Sequence, residues 1–231
     1  MQLKFASYNI HKAVGTDRRR DPDRILTVLR EVGADIVALQ EVDRRFGRRA
    51  SVLPRLLVEE QGYEIAPLSM RPDSMGWHGN AVLVRRGIEI LGAEPVHLPT
   101  LEPRGAVRVE LSAAGKRLRV AGVHLDLSGL RRRHQIHAIL GELEACDPAC
   151  PAVVLGDFNE WSQRNGSLRR FGSRWQAIAP GRSFPSRRPL APLDRIVLSK
   201  EWRCQDSGVH RSALAASASD HLPVWATVVR H

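Results

Sequence analysis

Short apolar runs, each with a polar residue of chemical capability at one end, constrain this chain more tightly than any other feature. Leu3 to Tyr8 leads into Asn9, Ile36 to Leu39 is followed by Glu41, Leu118 to Val123 by His124 and Asp126, and Ala152 to Leu155 by Asp157 and Asn159. Asp194 stands just inside the run Leu193 to Leu198, and Asp220-His221 just ahead of Val224 to Val229. Apolar runs of this length between Gly, Pro and charged breaks read as strands. If the later strands run antiparallel to the earlier ones, all these polar groups meet at one edge of the sheets and form a site.

The connections between the runs set the class. Asp21-Pro22 supplies an N-cap and a first-turn proline for a helix whose Ile25, Leu29 and Val32 share one face, and Gly33 ends it. Strand, helix and strand therefore open the chain, which is the layered α/β pattern. From Asn80 onward, Ala81 to Val84, Ile88 to Val96, Val107 to Leu111 and Leu118 to Val123 read as consecutive antiparallel strands. Ile136, Ile139, Leu140 and Leu143 mark a second helix. Ser183 to Pro192, with three prolines and two arginines, is expected as an ordered loop or a flap.

A chain of 231 residues suits one two-sheet domain, expected to span 1–231. Hydrophobic residues at 43% and charged residues at 26% supply a core beneath a charged surface, which excludes a disordered chain. No apolar run approaches the roughly 20 residues of a membrane-spanning helix. Lys4, Asn9 and His11 interrupt Met1 to Lys12, where an export signal would need an apolar stretch. Cys146, Cys150 and Cys204 are odd in number without a C-x-x-C pair, so neither a disulfide framework nor a zinc cluster is expected. The expected setting is a monomer in a reducing cytoplasm, with a peripheral place at a membrane surface as the alternative. Lys and Arg number 35 against 25 Asp and Glu, and the net charge of +10 favours polyanionic partners such as nucleic acid or anionic phospholipid.

Carboxylates gathered at one edge repel one another, and a bound divalent cation is the usual resolution. Oxygen ligands favour magnesium or manganese over zinc, and Glu41 is the first-choice ligand. A cation held by one or two carboxylates keeps positions for a phosphate oxygen, which suits phosphoryl chemistry.

Seven segments then carry a specific resemblance. Ser7-Tyr8-Asn9-Ile10-His11, Leu39-Gln40-Glu41-Val42-Asp43, Gly79-Asn80-Ala81-Val82-Leu83, His124-Leu125-Asp126, Gly156-Asp157-Phe158-Asn159, Leu193-Asp194-Arg195-Ile196 and Ser219-Asp220-His221-Leu222-Pro223 resemble, in order, the motif series of the endonuclease/exonuclease/phosphatase superfamily. The match spans nearly the whole chain. It implies a four-layer αββα sandwich of two mixed, mainly antiparallel sheets with outer helices, and a magnesium-dependent hydrolase of phosphate esters. It further implies that Glu41 holds the metal with help from Asp220 or Asn9, and that Asn9 also contacts the scissile phosphate. Asp157 would orient or deprotonate the attacking water, with Asn159 beside the phosphate or that water. His221, aligned by Asp194, would stabilise charge building on phosphorus, and His124 would be a second phosphate-side donor. Asn80 and His11 are expected on the substrate side. Positioning, metal and charge stabilisation then suffice without a covalent intermediate.

Two departures stand out. His11 occupies the position where many nucleases of the family carry Asp, which leaves the metal shell one carboxylate poorer. The only tyrosines, Tyr8 and Tyr63, offer no counterpart to the tyrosine that some abasic-site nucleases hold near the phosphate, so abasic-site repair is disfavoured.

Each residue also has a bland reading. Asp157 and Asn159 favour Asx-type turns, Glu41 alone suits a solvated position beyond a strand, His221 a capping role, and Asp194 a salt bridge to Arg195. None of these explains the shared edge. The chain holds no G-x-S-x-G elbow, P-loop or H-E-x-x-H helix.

Arg18 to Arg20, then Arg44, Arg45, Arg48 and Arg49, then Arg187 and Arg188 leave the proposed edge as a positive collar, which Arg131 to Arg133 either joins or leaves to begin a helix. The leading function is a phosphodiesterase acting on nucleic acid or a phospholipid headgroup. Phosphomonoesters are an alternative substrate class, and a non-catalytic basic module binding nucleic acid or anionic membrane is the alternative of another kind. Specificity is expected in the loops Met70 to His78, Arg44 to Ser51 and Ser183 to Pro192.

Overall fold

Alternation along each strand decides which layers it separates. In the computed structural model, residues 1–44, 50–68, 73–100, 104–144, 150–162 and 166–231 are described, and they form two six-stranded sheets. The first sheet runs, edge to edge, β11 (Trp202–Val209), β12 (Val224–Arg230), β1 (Gln2–Asn9), β2 (Ile36–Gln40), β4 (Ala81–Arg85) and β3 (Tyr63–Ile65). The second runs β5 (Glu89–Val96), β6 (Gly105–Ala113), β7 (Lys116–His124), β8 (Ala152–Asp157), β10 (Asp194–Ser199) and β9 (Trp175–Ile178).

Side chains on successive strand positions face opposite ways. Phe5, Ile36, Val82, Val120, Leu155 and Ile196 accordingly meet in one apolar core between the sheets. Their sequence neighbours Ala6, Val37 and Leu83 pack outward beneath the helix α1 (Pro22–Val32) and the short α2 (Arg55–Glu60) and α4 (Ala213–Ala218). Val123, Val154 and Val197 pack outward beneath α3 (Gly129–Glu144). The expected two-sheet sandwich with outer helices is thus the fold.

Two crossovers bring the carboxyl ends of four strands to the same end of the sandwich. β1 and β2 pair in parallel through α1, and β7 and β8 pair in parallel through α3; the remaining sheet pairings are antiparallel. The two parallel pairs touch across the sandwich. α1 forms as its sequence dictates: the Asp21 side chain accepts hydrogen bonds from the Asp23 and Arg24 amides, Pro22 opens the first turn, and Gly33 closes the helix at φ 58°.

The structure corrects one reading. Ala81 to Val84 does not begin a run of consecutive antiparallel strands, because β4 pairs with β2 and β3 in the first sheet and the chain then changes sheets to enter β5. Ser183 to Pro192 is an ordered loop: the Ser183 and Phe184 amides both donate to the Ala191 carbonyl, and Leu222 N donates back to Ser183 O.

Gly156 lies where the backbone of β7 passes close to that of β8. A Cβ there would sit 1.9 Å from the Val123 carbonyl oxygen, and Gly156 pairs with Val123 in the ladder that aligns His124 with Asp157. Gly156→Ala is expected to lower unfolding stability by about 3 kcal/mol, the upper end for forced overpacking, as read by urea denaturation. Gly141→Ala, where added carbon meets open space, should cost nothing measurable.

Candidate active site

The same alternation that builds the core places the site. Asn9 has the parity of Leu3 and Phe5, His124 that of Leu118 and Val120, Asp157 that of Val153 and Leu155, and Asp194 that of Ile196 and Leu198, all of which face the core between the sheets. These four polar residues therefore continue the inter-sheet core at one end, at the carboxyl ends of β1, β7 and β8 and the start of antiparallel β10. Ligand sites in α/β sheets form beyond the carboxyl ends of parallel strands for the same geometric reason.

Asp157 is the hub. Asn9 Nδ2 donates to its Oδ2 at 3.1 Å across the two sheets, and the Asn159 amide donates to its Oδ1 at 2.9 Å. His124 Nε2 lies 3.5 Å and His221 Nε2 3.8 Å from Oδ2. The Asx-type turn of the bland reading exists, and it coexists with the cluster because each oxygen of the carboxylate serves a different partner. Asn159 sits at φ 50° and donates its side-chain amide to Leu125 O at 2.9 Å, tying the end of β8 to that of β7.

The two histidines hold opposite charge states at neutral pH. Burial disfavours the His221 cation, but Asp194 and Asp157 more than offset this and raise its pKa to about 10. Its Nδ1 donates to Asp194 Oδ2 at 2.9 Å, which leaves Nε2 toward the cluster. Ser183 Oγ donates to the same Asp194 oxygen at 2.5 Å, and the Phe184 ring packs 4.8 Å from the imidazole. His124 is lowered to about 4 by burial first, with the Arg104 guanidinium opposing the pull of Asp157. Arg104 contacts His124 Nε2 directly.

Glu41 follows β2 and adopts φ 59°, a left-handed conformation that costs a residue with a Cβ of order 1–3 kcal/mol. Burial works against its charge, but His124, Lys12 and His11 bring its pKa to about 2. Of these partners, Lys12 contacts Glu41 Oε2 directly. His11, Lys12 and Ala13 form a short turn with φ of 45°, 56° and 56°. It is pinned by His11 N to Asn9 Oδ1, Lys12 N to Glu41 O and Asp21 N to Ala13 O. Asp220 Oδ1 stands 4.0 Å from His11 Nδ1.

Oxygen is the only donor type that Glu41, Asn9 Oδ1 and Asp220 offer, and the Glu41 carboxylate already draws a cation in Lys12. That chemistry fits a hard divalent ion, which needs few protein ligands because it keeps waters. Among the described residues, no preformed cluster of three or more His, Cys, Asp or Glu has metal-binding geometry.

Other expected residues fall elsewhere. Asn80 is buried, its Nδ2 donating to Trp77 O and Gly105 O at 3.2 Å each, while its Oδ1 lacks a hydrogen-bond partner. Arg44, Arg187 and Arg188 are exposed, and Arg187 Nε donates to Thr16 Oγ1 at 2.9 Å. Arg45, Arg48, Arg49 and Met70 lie outside the described residues. Arg132 leaves the collar: it is buried, 3.2 Å from Glu160 Oε2, with Nη1 on the Asp126 and Leu127 carbonyls. Arg195 directs its guanidinium to the Asp194, Glu160 and Ser162 main-chain carbonyls rather than to the Asp194 carboxylate. Lys12, Arg104 and Ser183 join the cluster without having been read from the sequence. Lys12 adjoins a recognised motif, whereas Arg104 and Ser183 lie in no apolar run whose end would have marked them.

Comparison with known proteins identifies the family and the fold. The family model described as Endonuclease/Exonuclease/phosphatase family matches residues 6–221. YbhP of Escherichia coli strain K12 is 30% identical over 98% of this chain and 96% of its own length. The endonuclease/exonuclease/phosphatase from Bacteroides vulgatus shares the fold with a TM-score of 0.78 at 16% identity, covering 100% of both chains. The human Nocturnin catalytic domain with bound sulfate anion shares it with a TM-score of 0.76 at 20% identity, over 100% of this chain and 95% of that one.

The charge states can be read directly. A histidine with a raised pKa stabilises the fold fully below about 6.5 and loses that contribution as pH rises through about 10, as for His221; buried neutral His124 instead loses its contribution as pH falls from about 6.5 toward about 4. Ring resonances in NMR should show His221 protonated and His124 neutral at pH 8. Asp194→Asn should move the His221 midpoint down toward the ordinary histidine range. Two rings titrating together near 6.5 in the unsubstituted protein would remove the pairing.

Proposed function

Since the chain belongs to the endonuclease/exonuclease/phosphatase family, whose members are hydrolases acting on phosphoesters, we propose that it is a magnesium- or manganese-dependent phosphodiesterase. The observation that supports this reading most is the convergence of Asn9, His124 and His221 from separate elements on the buried Asp157 carboxylate, with His221 held as a cation beside it. Glu41, Asp220 and Asn9 Oδ1 would hold the metal. When bound, the metal supplies Lewis-acid polarisation of a phosphate oxygen.

The chain's own groups divide the remaining work. Asp157 accepts a proton from, or orients, a water for in-line attack on phosphorus, and Asn9 holds the carboxylate in place. His221 Nε2–H donates toward a non-bridging oxygen as negative charge gathers there. Asp194 keeps that ring charged and fixes which nitrogen faces inward. Asn159 locks the turn that aims Asp157. Arg44, Arg187 and Arg188 draw an anionic substrate to the mouth.

Bis(p-nitrophenyl) phosphate tests the class. Turnover with magnesium or manganese that stops with chelator is expected, and no turnover with any divalent ion would favour the binding-module alternative. Faster cleavage of p-nitrophenyl phosphate would assign monoesters instead. Glu41→Gln should raise the magnesium needed for half-maximal rate at least tenfold in a folded protein. Unchanged metal response would strike Glu41 from the ligands.

The Asp194–His221 pair gives a second test. Activity that needs the His221 cation persists up to about pH 10 and falls as pH rises through it. Asp194→Asn should shift that alkaline limb to lower pH and reduce kcat more than KM. His221→Ala should cost about 10²-fold or more, and adding Asp194→Asn to it should cost little further. Multiplicative losses would mean that the two residues act separately.

A further inference from the structure

We infer that the mouth of the site is a docking surface for an anionic phospholipid bilayer, formed by a rigid apolar rim set among arginines. This goes beyond the hydrolytic reading, because binding to the surface does not require that a bond be cut. Among the described residues six large hydrophobics are exposed, and four of them stand at this end of the sandwich: Trp161 at 65%, Leu127 at 64%, Leu130 at 63% and Leu190 at 57%. Leu127 comes three residues after His124 and Trp161 four after Asp157, on the neighbouring parallel strands β7 and β8, while Leu190 lies four before Asp194 on adjoining β10. A soluble surface seldom gathers its large apolar side chains beside one opening without a partner for them.

The rim is built to project. Arg132 is buried beneath it and spans two of its loops, donating to Leu127 O at 2.7 Å and to Glu160 Oε2 at 3.2 Å. Arg195 is fully buried and donates to Glu160 O at 3.2 Å and Ser162 O at 3.3 Å. The backbone on both sides of Trp161 is therefore held by guanidinium groups from below while the indole points to solvent.

Charge complementarity selects the partner. Residues 127–134, 161–162 and 182–191 contain no Asp or Glu. Arg133 is exposed one turn along α3 from Leu130, and Arg187 and Arg188 are exposed in the loop that carries Leu190. Arg131, by contrast, is partly answered by Asp126 at 3.8 Å. Apolar side chains that enter the acyl boundary, with cations level with the headgroups, form an interfacial membrane surface. Single-stranded nucleic acid would need flat faces for its bases to stack on, and three of the four projecting groups are leucines.

Vesicle sedimentation of the full chain in chelator tests this independently of turnover. The protein should bind phosphatidylglycerol vesicles, bind phosphatidylcholine vesicles at least tenfold more weakly, and leave the former as salt rises. Binding should blue-shift tryptophan emission, and Trp161→Phe should remove most of that shift while keeping the binding. Leu127→Ser/Leu130→Ser/Trp161→Ser should weaken binding to phosphatidylglycerol at least tenfold, with circular dichroism and turnover of the soluble aryl diester unchanged. No binding to phosphatidylglycerol, or equal binding by the folded triple variant, would overturn the assignment. So would a triple variant that loses affinity for a single-stranded oligonucleotide and keeps it for vesicles. Failure of the hydrolytic reading would instead show as absent diester turnover with vesicle binding intact.

Discussion

A carboxylate buried at the seam between two sheets has to be answered by hydrogen bonds or charge, and the site is organised around how Asp157 is answered. Removing a carboxylate from water is costly unless its lone pairs find donors. Here the donors come from both sheets: Asn9 from the first, the Asn159 amide from the second, and the two imidazoles nearby. The polar cluster consequently also joins the sheets at the one end where their apolar core stops. Stability and chemistry share these contacts, so a substitution at Asn9 or Asp157 acts on both at once.

The first sheet reaches this seam through backbone that a chain of L-residues disfavours. Three successive residues, His11 to Ala13, and Glu41 beside them lie in the left-handed region. Such conformations persist only when their surroundings over-determine them. The surroundings here are hydrogen bonds: Ile10 N to Gln40 O and Lys12 N to Glu41 O link the two strand ends, and Arg20 Nε donates to Lys12 O at 3.1 Å from the loop that follows. The strained turn brings Lys12 to Glu41, a pairing that extended backbone after β1 would not make.

The seven motifs were legible because each stands at one end of an apolar run, and within a strand the period of that run fixes the face. Asn9, His124, Asp157 and Asp194 inherit their direction from Leu3, Val120, Leu155 and Ile196. β1, β2, β4, β5, β6, β7, β8, β10 and β12 were visible as apolar runs. β3, β9 and β11 were not, since each is an edge strand whose sequence holds no apolar run. The sheet change between β4 and β5 was also hidden, because pairing partners depend on contacts far along the chain while apolar runs report only that a strand exists. Arg104, Ser183 and Lys12 belong to loops, where position is set by backbone that no periodicity describes. Arg131 to Arg133 begin a helix, one of the two roles open to them, and the sequence could not choose because nothing in an Arg-Arg-Arg run tells which side chain will meet the buried Glu160.

The opposite charge states of the two histidines arise from the group behind each ring. Both approach the same Asp157 oxygen at similar range, 3.5 and 3.8 Å, so that carboxylate alone cannot separate them. Behind His221 stands the buried Asp194, accepting from Nδ1; beside His124 stands the Arg104 guanidinium, which occupies Nε2 and repels a second positive charge. Burial penalises both cations, and only one has a dedicated counter-charge to overcome it. The cluster therefore carries a fixed cation from the side of β10 and β12 and a neutral ring from the side of β7. Asp157 lies between them, with the His221 cation on one side and the neutral His124 ring on the other.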